Sequence, residues 1–504
     1  MKTLSTYHLS RRQLLLLMGA ASLFSTAIPQ TYRETKLVAP DGVELDQFGA
    51  TVAISGEWAA VGAPGRDDRG ENSGALYMFR KSNGRWRFSQ KLLASDGAAG
   101  DALAGVSMDG EYLAASATRA LYNGARSGVV YLFKRMDTTW IQMRKVGPDP
   151  AVSDALFGIS TSLKGVNLLV GAFLDREIGT QTGAAYVFTR TGEDWVQQAR
   201  LLASDRRHLH NFGYTVSLFD SLALVGAPYD SNRNGTLAGA AYLFQRMGSS
   251  WHEKSKLIAT DGLPGDLAGF VAIEAGHLIV CAPQSILVSR PGVAYAFTAS
   301  SKHRQTFSAR DGINRNAFGV TLSLRSDRLI VKASGDTSRG PGTGAAYLFL
   351  FKDSVWVQKH KFTASDGAAG ANYGECAMDD SSIIIGALNA RGTFSEQGAA
   401  YIYEPIVLSV HDVDHESREF MLHQNFPNPF NPSTEIRWKI PDVRLVRLNV
   451  FDILGREVAV LVNEVKDGGT HSVSFDASDL PSGVYYCRLV AGASRQTRKM
   501  VFIK

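Results

Sequence analysis

Arg206, Arg207, His208 and His210 place two guanidinium groups and two imidazoles on five consecutive positions. Guanidinium forks pair with anions, and an imidazole titrates near neutral pH. The run could therefore hold a ligand or move a proton. Elsewhere the same place reads Gly-Ala-Ala-Gly, at 97–100 and 367–370. The run is a local break in repeated text, which makes Arg206, Arg207, His208 and His210 the candidate ligand-binding residues; the alternative is a solvated loop. The aspartates Asp41, Asp96, Asp205, Asp261, Asp311 and Asp366 close an Ala-Ser-Asp-Gly turn or a variant of it. Recurrence in nearly every repeat assigns them to the turn, because an active site breaks symmetry. His411, Asp412, Asp414 and His415 are metal-ligand types, but they fall in 404–420, which turns from apolar to charged as a linker does. Cys281, Cys376 and Cys487 stand in unrelated contexts and are odd in number, so buried thiols are expected. No Ser/His/Asp set or carboxylate pair converges. No catalytic residue is assigned, and a non-catalytic chain is expected.

The elements that hold these residues come from a repeat. Tyr77, Tyr131, Tyr186, Tyr242, Tyr295, Tyr347 and Tyr401 recur about every fifty-four residues, each inside a run such as GALYMF or GAAYLF. Three more landmarks accompany them. An aromatic–glycine pair stands at Phe48-Gly49, Phe157-Gly158, Phe212-Gly213, Phe318-Gly319 and Tyr373-Gly374. VGAP at 61–64 recurs with variation, and a tryptophan follows the tyrosine run in all but two units. In the first unit these landmarks predict strands near 49–55, 58–63, 74–80 and 85–94. In GALYMF, Ala75, Tyr77 and Phe79 point one way and Leu76 and Met78 the other, so the sheet is expected to be covered on both sides. Seven such units predict a seven-bladed β-propeller over 35–403. The chain enters with a last strand and leaves without one, so residues 35–40 are expected to complete the seventh blade.

The first 27 residues read as a signal peptide. Lys2, Arg11 and Arg12 precede an apolar run that ends near Ser25-x-Ala27, and the run is too short to span a membrane comfortably. A formal charge of +5 with scattered Lys and Arg makes nucleic acid a poor partner. No transmembrane span is expected.

Phe-Gly, Val-Gly-Ala-Pro and Gly-Ala-x-Tyr-x-Phe, in that order, resemble the FG-GAP repeat of the integrin α propeller. The resemblance implies calcium loops, and the best match is Asp230-Ser231-Asn232-Arg233-Asn234-Gly235. Asp230, Asn232 and Asn234 are therefore the candidate metal ligands. Calcium wants six to eight oxygens, and one carboxylate is a poor start, so a polar turn is the alternative. Otherwise no cofactor is expected.

Gln424 to Thr434 reads QNFPNPFNPST, followed by strand-like runs at 435–440, 446–453, 471–478, 483–491 and 498–504. These predict a small antiparallel β-sandwich over 421–504, with the prolines favouring an extended lead-in. Asn425, Phe426, Pro427, Asn428, Pro429, Phe430, Asn431 and Pro432 make this segment resemble the type A sorting domain of the type IX secretion system. The resemblance implies export across the outer membrane, that secretion machinery as partner, and removal or anchoring of the domain. The expectation is a secreted or surface adhesion or binding protein with a protein or glycan ligand. The alternatives are a polysaccharide-active hydrolase or lyase, or a lectin-like propeller. Contact is expected on the loops joining second and third strands (64–73, 118–127, 173–182, 228–238, 388–397). The Ser-Asp-Gly turns are expected at the opposite end, with the arginine–histidine run among them as a competing site.

Overall fold

A computed structural model describes residues 32–176, 181–283, 290–314, 316–390, 397–406, 420–440, 444–491 and 494–504. The signal segment 1–27 and His411 to His415 of the linker lie outside them. The chain divides into two compact units, Met1–Ile406 and Val407–Lys504.

Among the described residues, the first unit is seven four-stranded antiparallel sheets, each a simple meander. The innermost strands are Thr51–Ser55, Leu103–Asp109, Thr161–Lys164, Thr215–Phe219, Phe270–Glu274, Phe318–Arg325 and Tyr373–Met378. Each packs on the next, and the seventh packs on the first, so the ring is closed. Tyr32–Leu37 is the outer strand of the seventh blade and pairs with Ala399–Pro405, with Lys36 opposite Tyr401. The ladder thus starts at Tyr32, before Thr35, and ends before Ala39. Blades five and six, around Tyr295 and Tyr347, complete the count.

Side-chain alternation explains the stacking. Ala75, Tyr77 and Phe79 join Leu37 and Ile402 in one core, while Leu76 and Met78 join Leu113 and Tyr131 in the next. Every third strand therefore glues two neighbours, as a sheet apolar on both faces must. Glycine sets the spacing. A Cβ on Gly62 would lie 2.4 Å from the Ala104 oxygen of the next blade. Gly49 needs φ +93°, and a Cβ there would lie 2.1 Å from the Ala399 oxygen. Inside the ring, serine hydroxyls of one inner strand accept from backbone amides of the next: Ser107 from Leu163, Ser162 from Leu218, Ser217 from Ile273 and Ser323 from Met378. They line a central cavity of about 380 Å³.

An even number of strands corrects one expectation. A four-stranded meander returns the chain to the side from which it entered. The second-to-third-strand loops and the Ser-Asp-Gly turns therefore share one face, and the short hairpins such as Ser55-Gly56-Glu57 occupy the other. The contacts agree: Gly100 N donates to Glu71 O, and Gly74 bridges Leu103.

On that shared face the repeated aspartates do more than turn. Asp41 accepts from Tyr77 Oη at 2.8 Å and Lys91 Nζ at 2.9 Å, both on the following blade. The same clasp joins Asp96 to Tyr131 and Lys145 (2.8 and 2.7 Å), and Asp366 to Tyr401 and Lys36 (2.6 and 2.5 Å). In blade six, Lys361 reaches both Asp311 and Asp336. In blade three, Tyr186 and Arg200 meet Asp175 of their own loop instead. Blade five has Thr306 at the lysine position.

The second unit has a sheet ordered Met421–Leu422, Ser433–Ile440, Gly469–Asp476 and another ordered Glu457–Lys466, Arg444–Phe451, Gly483–Ala491, Ser494–Phe502. Phe430, Trp438, Phe475, Met500 and Phe502 belong to its core. The strand Glu457–Lys466 is not among the strands expected from sequence. Only Val462 of its ten residues is buried, so its alternation is faint.

The clasp predicts a pH window. Partial burial alone would raise the carboxyls of Asp41, Asp96, Asp205, Asp311 and Asp366, but lysine and tyrosine donors outweigh it and hold them below normal. Burial first, then the aspartates, raises Tyr77, Tyr131, Tyr242 and Tyr401. Lowered carboxyls stabilise above the unfolded value, about 3.9, and raised phenols stabilise below theirs, about 10. Thermal melts should show a plateau from about pH 7 to 9, a first loss below about 6.5 as the half-buried His277 and His360 must charge, a steeper one below about 4 as the clasp carboxyls protonate, and a loss above about 10. A melting temperature that climbs steadily on acidification from neutral pH would contradict the clasp.

Candidate functional site

Blade four departs from the pattern in its turn, and the shared face brings that turn beside the Asp230 loop. In three other turns the fifth residue after the repeated aspartate is a buried carboxylate, Asp46, Asp101 and Asp266, and in two it is the buried Asn316 or Ala371. After Asp205 that place is His210, also buried. In the first blade Asp46 meets Arg66 of the loop at 3.1 Å. In the fourth the carboxylate is on the loop, and His210 Nδ1 lies 3.0 Å from Asp230 Oδ2. Arg206, Arg207, His208 and Leu209 remain exposed. The candidate run thus separates into an exposed cationic tip and a buried histidine.

Asp230 is fully buried and well supplied with donors. Its Oδ2 accepts from Tyr242 Oη at 2.9 Å and Lys256 Nζ at 2.8 Å, and its Oδ1 from Asn232 Nδ2 at 3.0 Å. Burial alone would raise its pKa; the contacts from His210, Lys256 and Asn232 and the lysine charge outweigh this and hold it well below the carboxylate range. Lys256 and Tyr242 also reach Asp205, each at 2.7 Å. One ammonium therefore bridges the turn and the loop.

These contacts bear on how well Asp230, Asn232 and Asn234 would suit calcium. Asn232 Oδ1 accepts from Asn234 N, and Asn234 Nδ2 donates to Ala259 O. The one carboxylate is already compensated by a lysine in contact with it. A divalent ion would need several carboxylate oxygens turned to one point. This donor set does not fit it, and the loop is held by its own side chains and Lys256.

Beside the bridge lies a pocket of about 500 Å³, lined by Arg207 and Asp205 from the turn, Ser231, Arg233 and Thr236 from the loop, and Lys256. Lys256, Tyr242, Arg233 and the two hydroxyls were not among the sequence candidates. The lysine recurs in the sequence five residues before the repeated aspartate of the next turn, as Lys36, Lys91, Lys256 and Lys361 do.

In the second unit the motif residues divide by role. Asn425 is buried and donates to Pro427 O and Thr434 Oγ1, both at 3.0 Å. Asn428 Oδ1 accepts from Val501 N at 2.8 Å. Phe430 fills the core, and its amide donates to Val501 O. Phe426 is held by backbone bonds to Glu435 in both directions, yet it is 82% exposed. Pro427, Pro429, Asn431 and Pro432 are exposed as well. The lead-in is therefore a bent loop folded back on the sheet, where an extended segment was expected, because Asn425 and Asn428 capture backbone groups on either side.

Comparison with protein families identifies an FG-GAP repeat at 32–79, 86–133, 140–188, 195–244 and 356–403, and a secretion system C-terminal sorting domain at 424–504. The chain is an FG-GAP repeat β-propeller protein with a type IX sorting domain, and that domain marks it for secretion or export to the cell surface. Each matched segment begins with the outer strand of one blade and ends with the third strand of the next. Comparison with curated proteins gave no match. Solved structures similar to this chain include a fungal alcohol oxidase in complex with copper, at 12% identity and TM-score 0.47, covering 94% of this chain and 100% of that one. PorZ, a surface component of the type-IX secretion system of Porphyromonas gingivalis, is similar at 12% and 0.34, covering 90% and 65%. The β-propeller domain of the Trilobed protease from Pyrococcus furiosus is similar at 8% and 0.37, covering 67% and 90%. No helix among the described residues is long and apolar enough to cross a membrane.

Two measurements test the bridge. Lys256→Ala should destabilise the protein by about 2–4 kcal/mol, since it leaves a buried carboxylate without its cation. Treatment of the full chain with a chelator should leave its melting temperature unchanged. A marked drop, reversed by calcium, would show that metal rather than Lys256 holds these loops.

Proposed function

We propose that this chain is an exported, non-catalytic binding protein whose propeller engages a surface partner through the loop face of blade four. The observation that carries the reading is where the titratable groups go. On most blades the repeated aspartates, tyrosines and lysines are engaged with one another across blade boundaries, as Asp41, Tyr77 and Lys91 are. They build a rigid ring and are not available to a substrate. Blade four alone adds Arg206 and Arg207 where the others carry small or apolar residues, and it does so next to a pocket. Variable loops on a rigid scaffold are where binding resides. An adhesive role on the cell surface fits this arrangement together with the sorting domain.

The same reading extends to export. The secretion machinery reads the sorting domain, and Phe426 is the motif side chain best presented to it. Asn425, Asn428 and Phe430 are occupied in holding the domain together.

Purified full-length protein incubated with a panel of polysaccharides and surface proteins should retain a partner without converting it. Release of reducing ends or unsaturated sugars would place the chain among enzymes instead. For export, Phe430→Ala should destabilise the domain by about 3–5 kcal/mol. Phe426→Ala should change stability by less than about 0.5 kcal/mol and still lower the amount of protein reaching the medium. Undiminished secretion of the Phe426 variant would remove that residue from the recognition surface.

A further inference from the structure

We infer that the blade-four pocket binds the carboxylate or sulfate groups of an acidic polysaccharide. This rests on the binding-module reading above and names the ligand class.

The charge state of the site comes first. Asp205, exposed at the pocket, and Asp230, buried below it, share the ammonium of Lys256 and leave one net negative charge, which Arg207 and Arg233 outweigh by one. The guanidinium groups of Arg206, Arg207 and Arg233 are exposed, and among the described residues none of them makes an ion pair or a hydrogen bond. Arg66 in the first blade is the contrast. It is largely buried and held by Asp41, Asp46 and Asp68. Arg290 and Arg200 are likewise held, by Asp266 and Asp175. The blade-four arginines therefore present unused donors to solvent. Two of them, Arg207 and Arg233, line one cavity from two different loops.

The rest of the lining narrows the class. Ser231 and Thr236 offer hydroxyls beside the arginines. A planar fork suits a carboxylate or sulfate, and hydroxyls suit the ring oxygens and hydroxyls of a sugar. The lining holds no aromatic ring. Nucleic acid is thereby disfavoured, since its bases want stacking platforms and its backbone wants an extended basic track. A neutral sugar would leave both guanidinium groups without the charge they match. The cavity, about 500 Å³, takes one or two sugar rings. A polymer suits an open pocket on the face of a propeller, because its ends can run past the site.

The floor also fixes how the site tolerates change. Lys256 and His210 belong to the support, and Arg207 and Arg233 to the ligand. The arginines are exposed, so replacing them leaves the fold intact.

The test uses the purified full-length protein and a double variant, Arg207→Ala with Arg233→Ala. Polygalacturonate and heparin are the acidic probes, dextran the neutral one and poly-glutamate the acidic peptide. The wild type should bind an acidic polysaccharide, weakly at about 0.5 M salt and more tightly at about 0.05 M. The variant should bind at least about tenfold less tightly, with an unchanged melting curve. Equal binding by the variant, or binding of none of the acidic sugars, overturns the inference. Preference for poly-glutamate, lost in the variant, overturns it in favour of an acidic protein partner. Retention of dextran by wild type and variant alike overturns it while leaving the binding-module reading in place. Conversion of a probe to product removes that reading itself.

Discussion

The contact on which this propeller depends is the reach of a lysine and a tyrosine from one blade to the aspartate turn of the blade before it. A propeller sheet is apolar on both sides, so burial alone would let blades slide over one another. Hydrophobic contact is nondirectional. The clasp is directional: Asp41, Tyr77 and Lys91 meet at one point on the face where the chain crosses between blades. It also joins the two ends of the ring. Lys36, on the strand that enters first, closes on Asp366, which follows the sixth blade. Taking the glycine-limited approach of second strands to inner strands as the spacing, the clasp supplies the register. Each alone leaves the ring underdetermined.

Much of this was legible in the sequence, and the reasons differ by level. The period, the strands and the two-faced packing of GALYMF follow from side-chain types alone, because alternation and repetition are local. The facing of the loops does not follow from any one unit. It needs the count of strands per unit carried through to parity, and four strands place turn and loop on the same side. That step turns two separate candidate sites, Arg206–His210 and Asp230–Asn234, into one. His210 shows the limit most clearly. By composition it belongs with Arg206 and His208, an exposed cationic tip. By repeat position it belongs with Asp46 and Asp101, and the structure follows position.

The sorting domain teaches the converse lesson. Its motif was legible as a signature, but a signature does not say which residues fold the domain and which are read by a partner. Hydrogen bonding separates them. Asn428 has both amide and carbonyl matched by backbone partners, Asn425 donates to Pro427 O and the Thr434 hydroxyl, and the two phenylalanines part ways, one in the core and one in solvent. The strand Glu457–Lys466 escaped notice for a related reason. An edge strand that buries one side chain writes almost no periodicity into its sequence.

Blade four shows how a ring of this kind can gain a site without losing its frame. In the ordinary blade the loop arginine or carboxylate is itself part of the lock, so altering it to suit a ligand would loosen the ring. Blade four keeps a loop carboxylate, Asp230, as blade six keeps Asp336, and sets His210 of the turn beside it. Lys256 then bridges the exposed Asp205 and the buried Asp230. The guanidinium groups of Arg206 and Arg207 stand outside this lock. These arginines can vary with the partner while His210, Asp230, Tyr242 and Lys256 keep the blades in register. A binding site on a clasped propeller is for this reason expected where the clasp has been rebuilt below the surface, rather than where it has been lost.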